Sequence, residues 1–130
     1  MKNLIDMPIG KLERILDSEV SLFIRKKYSD GESCRCYTCG MVMGIKEATC
    51  GHWISRRHRG TRWDVRFLRP QCSICQGRGG EQERFRERLV QEFGEELISE
   101  VENSKSNMAL HSRVWLAEKI EYYRKIRMGD

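Results

Sequence analysis

Two C-x-x-C pairs constrain the fold of this chain more than any other feature of its sequence. The pairs are Cys36/Cys39 and Cys72/Cys75, with 32 residues between Cys39 and Cys72. Each pair lets two thiolates reach one ion, and two pairs complete the tetrahedral four-sulfur shell of structural zinc sites. A thioredoxin-like redox centre would need only one such pair, within a βαβ unit. We therefore predict that these cysteines bind structural zinc, which is then fully coordinated and unable to activate water.

The rest of the chain favours metal binding over disulfide formation. The N-terminal residues contain no apolar run of signal-peptide length, and no stretch approaches the ~20 apolar residues of a membrane span. We therefore expect a cytoplasmic protein with no membrane association, in a compartment where disulfides are disfavoured. Cys34 and Cys50 are then spare thiols, which we expect to be buried rather than catalytic.

The chain length and apolar patterning predict a single α+β domain over residues 1–130. A chain of 130 residues has room for one compact unit and little room for two. The cysteine-bearing middle is interrupted by glycines, and its short apolar stretches at 41–45 and 65–68 predict brief strands. The predicted organisation is an N-terminal helix at 8–28, a cysteine-rich core at 33–80 and C-terminal helices at 81–130.

Apolar residues at helical spacing indicate which faces of the predicted helices pack in the core. Gly94 is expected to break or kink the helical region that contains it, and residues 103–107 are expected to form a loop. The predicted stripes are, in chain order, Leu12, Leu16, Val20 and Phe23; Phe85, Leu89, Phe93, Leu97 and Val101; and Leu110, Val114, Ala117 and Ile120.

Positive charge is concentrated in one segment. The formal net charge is +5, yet the stretch from Gly51 to Gly80 alone contains seven arginines and a single acid, Asp64. A solubilising surface usually mixes charges of both signs and mixes lysine with arginine. A basic stripe confined to one segment is instead typical of nucleic-acid binding.

The stretch CGHWISRRHRG (50–60) places His52 directly before this arginine-rich part of the chain. Three interpretations are open: His52 is a zinc ligand, a structural residue that hydrogen-bonds a strand end, or a base acting on a polyanion. Hydrolysis of a phosphodiester requires a base for water, and the ordinary pKa of histidine suits that role near neutral pH. The neighbouring side chains that could grip a phosphate backbone are Arg56, Arg57, Arg59 and Arg62.

The order of these motifs resembles that of a known nuclease family. A cysteine pair, a Gly-His dipeptide and a second cysteine pair follow one another in HNH (ββα-metal) endonucleases that carry a structural zinc. The resemblance is closer to the phage NinG/Rap recombination endonucleases, and it covers most of the chain. The segments that carry it are FIRKKYSDGESCRCYTCG (23–40), CGHWISRRHRG (50–60), VRFLRPQCSICQGRGG (65–80), ERFRERLVQEFGEEL (83–97) and LAEKIEYYRKI (116–126).

The resemblance implies a small zinc-stapled ββα-metal (HNH-like) core flanked by N- and C-terminal helices. It also implies a metal-dependent DNA endonuclease that acts on branched recombination intermediates such as Holliday junctions, in the host cell cytoplasm if the protein is phage-encoded. His52 matches the general base of the family, and Gln76 matches a position, usually asparagine, that helps bind the catalytic Mg²⁺ or Mn²⁺. The ligands of the structural Zn²⁺ are matched by Cys36, Cys39, Cys72 and Cys75.

Some positions depart from the family pattern. Many HNH enzymes have an acidic metal ligand directly before the base, where this chain has Gly51. The central asparagine expected before the second cysteine pair is not evident near Phe67 and Leu68. The oxygen donors that could complete a magnesium or manganese shell are Glu47, Asp64, Glu81 and Glu83.

Two alternatives to a nuclease stay open at this stage. The chain could be a non-catalytic zinc module that binds branched or single-stranded DNA. It could also be a zinc-stabilised protein-interaction domain, although the confined arginine stripe argues against that class. A symmetric four-way junction would suit a homodimer.

Overall fold

The computed structural model describes residues 3–105 and 111–129. Its architecture is α+β, as predicted, with helices toward both ends of the chain and two small antiparallel sheets between them. The helices are α1 (Ile9–Lys27), α2 (Arg59–Arg62), α3 (Ser73–Gly77), α4 (Gln82–Phe93), α5 (Glu95–Ser104) and α6 (Arg113–Arg127). The strands are β1 (Ser33–Arg35), β2 (Val42–Gly44), β3 (Thr49–His52) and β4 (Leu68–Gln71), and 3-10 turns lie at Leu4–Asp6 and Val65–Phe67.

Helix α1 lies at the centre of the main apolar core, where it packs on α6 and on β3 and β4. Phe23, the last residue of the predicted stripe, is only partly buried, because the core follows the i, i+4 row that ends at Ile24 instead. The core side of α1 carries the fully buried residues Leu12, Leu16, Val20 and Ile24.

Helix α6 begins at a capping residue rather than where the apolar pattern predicts. The hydroxyl of Ser112 accepts a hydrogen bond from the Trp115 backbone N–H at 3.1 Å, which satisfies a free donor at the helix start. Ile120 is buried as predicted, but Val114 is exposed and Ala117 only partly buried. Leu110 lies outside the described residues. The buried face of α6 is formed by Leu116, Ile120 and Tyr123.

Each sheet is an antiparallel pair of short strands. Ser33 pairs with Gly44 in the β1–β2 hairpin, and His52 pairs with Leu68 in the β3–β4 pair. The strand predicted at 65–68 starts only at its last residue. The Asp64 carboxylate accepts from the Arg66 backbone N–H at 3.2 Å, which favours a 3-10 turn over 65–67 before the strand begins.

The glycine break between α4 and α5 is confirmed, and it changes which side chains are buried. Gly94 has φ +90°, a left-handed conformation that ends α4 and restarts the helix in a new direction. Phe85 and Leu89 are buried as predicted, but after the break Ile98 is fully buried while Leu97 is only partly buried. Within the described parts of the chain, no helix combines the length and apolar character needed to cross a membrane.

Candidate metal centre and the surroundings of His52

The two C-x-x-C pairs meet in space and form a site that could hold a metal ion. The four sulfur atoms of Cys36, Cys39, Cys72 and Cys75 lie within 4.8 Å of one another. The Sγ atoms of Cys39 and Cys72 are 3.7 Å apart. A tetrahedral zinc with Zn–S bonds of about 2.3 Å separates its sulfur ligands by about 3.8 Å. The donor set and its spacing therefore fit zinc.

Backbone hydrogen bonds fix the two halves of this sulfur cluster. The first half is a tight turn after β1, in which Gly40 N–H donates to the Cys36 carbonyl at 2.9 Å. The second half caps α3, because the Cys72 Sγ accepts from the Cys75 N–H at 3.4 Å. Tyr37 N–H donates to the Pro70 carbonyl at 2.9 Å and ties the first half to β4. The sulfur positions are thus set by the local fold.

Hydrogen bonds between buried polar side chains connect Gln71 and Thr38 to the sulfur cluster. Gln71, a residue the sequence analysis did not single out, donates from Nε2 to Thr38 Oγ1 at 3.0 Å and to the Gly80 carbonyl at 2.8 Å. Thr38 Oγ1 lies 3.4 Å from the Cys36 Sγ, so its hydroxyl hydrogen is free to point at the sulfur. Burial raises the pKa of Cys36, but hydrogen bonds from Thr38 and from backbone N–H groups outweigh it and lower the pKa to about 6. Cys36 is therefore set up to bind a metal as thiolate.

The two remaining cysteines lie outside the sulfur cluster and are chemically quiet. Cys34 is buried in a small apolar group with Met43 and Ala48, and burial raises the pKa of its thiol. Cys50 packs against the α1 core, where burial raises its pKa to about 12. A thiol with a raised pKa is a weak nucleophile at neutral pH. This agrees with their prediction as spare residues.

His52 ends β3 and is held by the arginine-rich loop that follows it. Its Nε2 lies 3.1 Å from the carbonyl oxygen of Arg62. A carbonyl can only accept, so Nε2 carries the hydrogen and, in the neutral ring, Nδ1 keeps its lone pair. Burial lowers the pKa of His52, and the Arg62 carbonyl opposes this. The ring is therefore neutral at pH 7 with one nitrogen able to accept a proton. His52 is also not part of the metal-binding group of the described residues.

Gln76 lies on α3, exposed to solvent, directly after the metal-binding Cys75. Its backbone N–H donates to the Cys72 carbonyl at 3.1 Å. The structure gives its side-chain amide no hydrogen bond within residues 3–105 and 111–129. Gln76 is thus available to a ligand from solvent, but the protein itself does not orient it toward His52.

Gly51 cannot be replaced by a larger residue without disturbing the hydrogen bonds that connect Gln71 to the sulfur cluster. A Cβ atom at this position would lie 2.6 Å from Gln71 Cγ and 2.7 Å from Gln71 Cδ. Gln71 itself is only 1% exposed and has no space to retreat into. Packing therefore explains why this chain has glycine at position 51, where many HNH enzymes have an acidic metal ligand. An acidic side chain here would collide with Gln71.

Most of the arginines predicted to bind nucleic acid are held by carboxylates of α1. Arg59 Nε lies 2.7 Å from Glu13 Oε2, and Arg62 Nη2 lies 2.6 Å from Asp17 Oδ2. Arg56 Nη1 lies 3.4 Å from the same Asp17 oxygen. The side chains of Arg59 and Arg62 are 36% and 15% exposed, whereas that of Arg56 is 59% exposed. The sequence could not indicate these pairs, because the partners lie far apart along the chain.

Removal of the Asp17 carboxylate is expected to loosen the arginine-rich loop. Besides pairing with Arg62, Asp17 accepts from the indole N–H of Trp63 at 2.9 Å. The Asp17–Arg62 pair is partly buried, and without Asp17 the Arg62 guanidinium keeps only the longer contact with Glu13, at 3.8 Å. Because hydrogen bonds to charged groups contribute about 1.5–3 kcal/mol, Asp17→Ala should lower the free energy of unfolding by about 2 kcal/mol. Urea denaturation measures this cost. The matched control is Glu118→Ala, which removes an exposed α6 carboxylate and should have almost no effect; equal stability of both variants would contradict the expectation.

The structure brings together no second group of metal-ligating side chains within the described residues. The four cysteines form the one group there of three or more His, Cys, Asp or Glu side chains close enough to hold an ion. Asp64, a candidate oxygen donor, is occupied by Arg66, whose Nη2 lies 2.8 Å from its carboxylate. Glu83 instead lines a small polar pocket with Arg57 and His58. Residues 3–105 and 111–129 therefore form no cluster of three or more such side chains for magnesium or manganese besides the four cysteines.

Comparison with known proteins gives this site no precedent: no protein-family model, no curated protein and no solved structure matches the chain.

Proposed function

We propose that this protein is a metal-dependent, structure-specific DNA endonuclease of the HNH type that acts on branched recombination intermediates such as Holliday junctions. The observation that carries the proposal is the position of His52, a half-buried side chain at the end of β3 that the Arg62 carbonyl holds. Its strand, β3, pairs with β4, and β4 leads directly into the second cysteine pair and α3. A strand, a strand and a helix thus follow in the order of a ββα-metal core, with a neutral imidazole at the end of the first strand.

His52 acts in this proposal as the general base. The Arg62 carbonyl holds the Nε2–H, which orients the ring and leaves Nδ1 to take a proton from the attacking water. The resulting hydroxide attacks the phosphorus of the scissile phosphodiester, the P–O bond to the leaving sugar oxygen breaks, and that oxygen takes a proton from solvent. A base with a pKa below its usual range is already unprotonated at neutral pH, so no proton has to be removed from it first.

The basic segment around His52 supports a polyanionic substrate. Arg57 and Arg78 are exposed, and neither has a carboxylate within 4.0 Å in the described chain. Both can therefore bind phosphate without first leaving an internal partner. Arg56, Arg59 and Arg62 would have to exchange their α1 carboxylates for phosphate oxygens, and the weakly held, exposed Arg56 would do so most readily.

The proposal includes a catalytic Mg²⁺ or Mn²⁺, for which the described residues form no carboxylate cluster. Magnesium usually keeps several waters and binds one or two protein ligands together with substrate phosphates. Here Gln76 is the exposed oxygen donor beside the sulfur cluster, and Gly51 supplies no carboxylate. Zinc in the sulfur cluster would order the core and, with four sulfur ligands, would not activate water.

One structural observation favours a second candidate function, a non-catalytic zinc module that binds branched or single-stranded DNA. The described residues do not assemble a carboxylate site near His52, and the packing of Gln71 excludes an acid at Gly51. The module would keep the zinc and the arginines and have no need of a base. The two functions differ in one measurable property, which is metal-dependent cutting.

Cleavage of a labelled four-way junction tests the nuclease. Zinc-loaded protein should cut it in magnesium or manganese, and His52→Asn should reduce the rate by at least about 100-fold, because general bases contribute 10²–10⁴-fold. Junction binding should stay unchanged in the variant. The rate should fall only when the pH drops below about 6.5, since protonation of His52 removes the base.

The matched control is His58→Asn, which removes the other histidine of the arginine-rich loop and should leave cutting nearly intact. Binding without cutting in any metal would favour the non-catalytic module. A shallow dependence of binding on salt would point to a protein-interaction domain, because nucleic-acid binding releases counterions.

The cellular setting is part of the same proposal. We infer a cytoplasmic protein, because a cluster of reduced cysteines is maintained in that compartment. A homodimer would match the symmetry of a four-way junction, and sedimentation of the protein with and without the junction measures the stoichiometry.

A further inference from the structure

A second basic surface lies beside the sulfur cluster, between the β1–β2 hairpin and α4. It is an open groove of about 740 Å³, and Cys36 forms part of its wall. We call it the knuckle groove. The residues that give it its character are Tyr28, Arg35, Tyr37, Val42, Arg69 and Arg88.

The three arginines of α4, Arg84, Arg86 and Arg88, lie on two different faces of the helix. Arg86 points to α5, where it pairs with Glu95 at 2.9 Å and with Glu102 at 2.8 Å. Arg84 and Arg88, one turn apart, face the first cysteine pair instead. Arg84 donates to the Thr38 carbonyl at 3.2 Å, and the Arg88 guanidinium lies 5.3 Å from the Tyr37 ring centre. Of these two arginines, Arg88 lines the groove.

Two of the cations in the groove are free of carboxylate partners. In the described part of the chain, no carboxylate oxygen lies within 4.0 Å of a guanidinium nitrogen of Arg35 or Arg88. Arg35 donates only to the Gly40 carbonyl, at 3.2 Å. These two arginines thus differ from Arg59 and Arg62, whose charges α1 neutralises.

The acidic residues of the groove are already engaged by the protein. Glu92 accepts from Arg69 at 2.9 Å and from the Tyr37 hydroxyl. The exposed Asp30 accepts the backbone N–H groups of Glu32 and Ser33 at 3.0 and 2.9 Å. Asp30 stays ionised, because these hydrogen bonds lower the pKa of its carboxyl. The groove lining nevertheless carries three guanidinium groups, of Arg35, Arg69 and Arg88, against the two carboxylates of Asp30 and Glu92, so its net charge is positive.

Apolar and aromatic surface lies beside the free guanidinium groups. Arg69 is buried and its guanidinium lies 4.7 Å from the Tyr28 ring centre and 5.4 Å from that of Tyr37, so it forms part of the floor. At the rim, Tyr28 is 36% and Val42 56% exposed. Cations next to exposed aromatic and apolar side chains suit an unpaired strand, which offers phosphates and base faces together. An intact duplex keeps its base faces stacked inside.

We propose that the knuckle groove binds a single-stranded segment of nucleic acid, with Arg35 and Arg88 on its phosphates and with bases against Tyr28 and Val42. This inference rests on the proposed function and narrows its substrate to branched intermediates that carry a single-stranded arm. Duplex would contact the arginine-rich loop near His52, while the unpaired arm occupies the groove.

Fluorescence anisotropy of a labelled oligothymidine of about 20 nucleotides tests the groove. The groove variant is R35Q/R88Q, and the charge-matched control is R14Q/R113Q, which changes two exposed arginines outside the groove. The groove variant should bind roughly tenfold more weakly at 0.1 M salt. The slope of log K against log salt should become shallower by about 1.4, since each lost single-strand phosphate contact removes about 0.7. The control should keep the wild-type slope.

Two results would overturn the groove assignment. The first is identical binding by the groove variant and the control while the wild type still cuts the junction, which leaves the nuclease proposal standing. The second is tighter binding of poly-glutamate than of oligothymidine, lost in R35Q/R88Q, which would make the groove a site for acidic protein. Failure of the wild type to bind any DNA would overturn both proposals. Zinc content, measured for every variant, confirms that each is folded.

Discussion

Cys72→Ser is expected to abolish zinc binding and the cooperative unfolding of the cysteine-rich core. Cys72 provides one of the four clustered sulfurs, caps α3 through the Cys75 N–H, and directly follows β4. Structural zinc binds small domains with about 10–16 kcal/mol at pH 7, and much of that free energy is folding free energy. The apolar contacts of the two short hairpins cannot replace it.

Metal analysis and thermal unfolding followed by circular dichroism measure this effect. Cys34→Ser is the matched control, since Cys34 is also buried but lies outside the four-sulfur group. It should keep a full equivalent of zinc and lose only about 1–2 kcal/mol from placing a hydroxyl in an apolar site. Chelation of wild-type zinc should reproduce the Cys72→Ser behaviour. If both serine variants retained zinc, the assignment of the ligands would be wrong.

Gly51→Asp is expected to destabilise the protein by at least about 3 kcal/mol. The new Cβ would overlap Gln71, and a displaced Gln71 would leave the Thr38 hydroxyl and the Gly80 carbonyl without a buried donor. Overpacking costs about 1–3 kcal/mol, and each unsatisfied buried polar group a similar amount. An acid placed at position 51, where many HNH enzymes have a metal ligand, should therefore weaken the fold of this chain.

Gly77→Ala gives the comparison for Gly51. No atom lies within 4 Å of a Cβ built on Gly77, and its backbone does not require glycine. That variant should be neutral or more stable by up to about 1 kcal/mol. Denaturant midpoints of Gly51→Ala, Gly51→Asp and Gly77→Ala distinguish two causes of a stability change. Lack of space for the new side chain affects only the variants at position 51, whereas reduced backbone flexibility affects all three. Wild-type stability in Gly51→Ala would show that Gln71 can move freely and would remove the steric explanation.

The sulfur cluster could be predicted from the sequence because C-x-x-C spacing is a local property with a metal-imposed geometry. Its support could not. Gln71 and Thr38 look like ordinary polar residues in the sequence. The pairing of β3 with β4 places the Gln71 side chain beside Gly51, where its amide reaches the Thr38 hydroxyl. Residues that act through another residue leave no periodic signal in a single chain.

The helices followed their apolar periodicity where a local signal agreed with it, as at Gly94. They departed from this periodicity where a capping residue determines the first residue of the helix, as Ser112 does for α6. The arginine stripe was visible as composition, but its partners were not. Glu13 and Asp17 lie on the same helix as the predicted apolar stripe and reach Arg59 and Arg62 only through the tertiary packing.

Arg62 belongs to two networks at once. Its guanidinium is held by Asp17, while its own carbonyl oxygen receives the Nε2–H of His52. The ion pair with Asp17 therefore anchors to α1 the same residue whose backbone carbonyl fixes the tautomer of the imidazole. Helix α1 contributes in this way to the alignment of a ring that it does not bind directly.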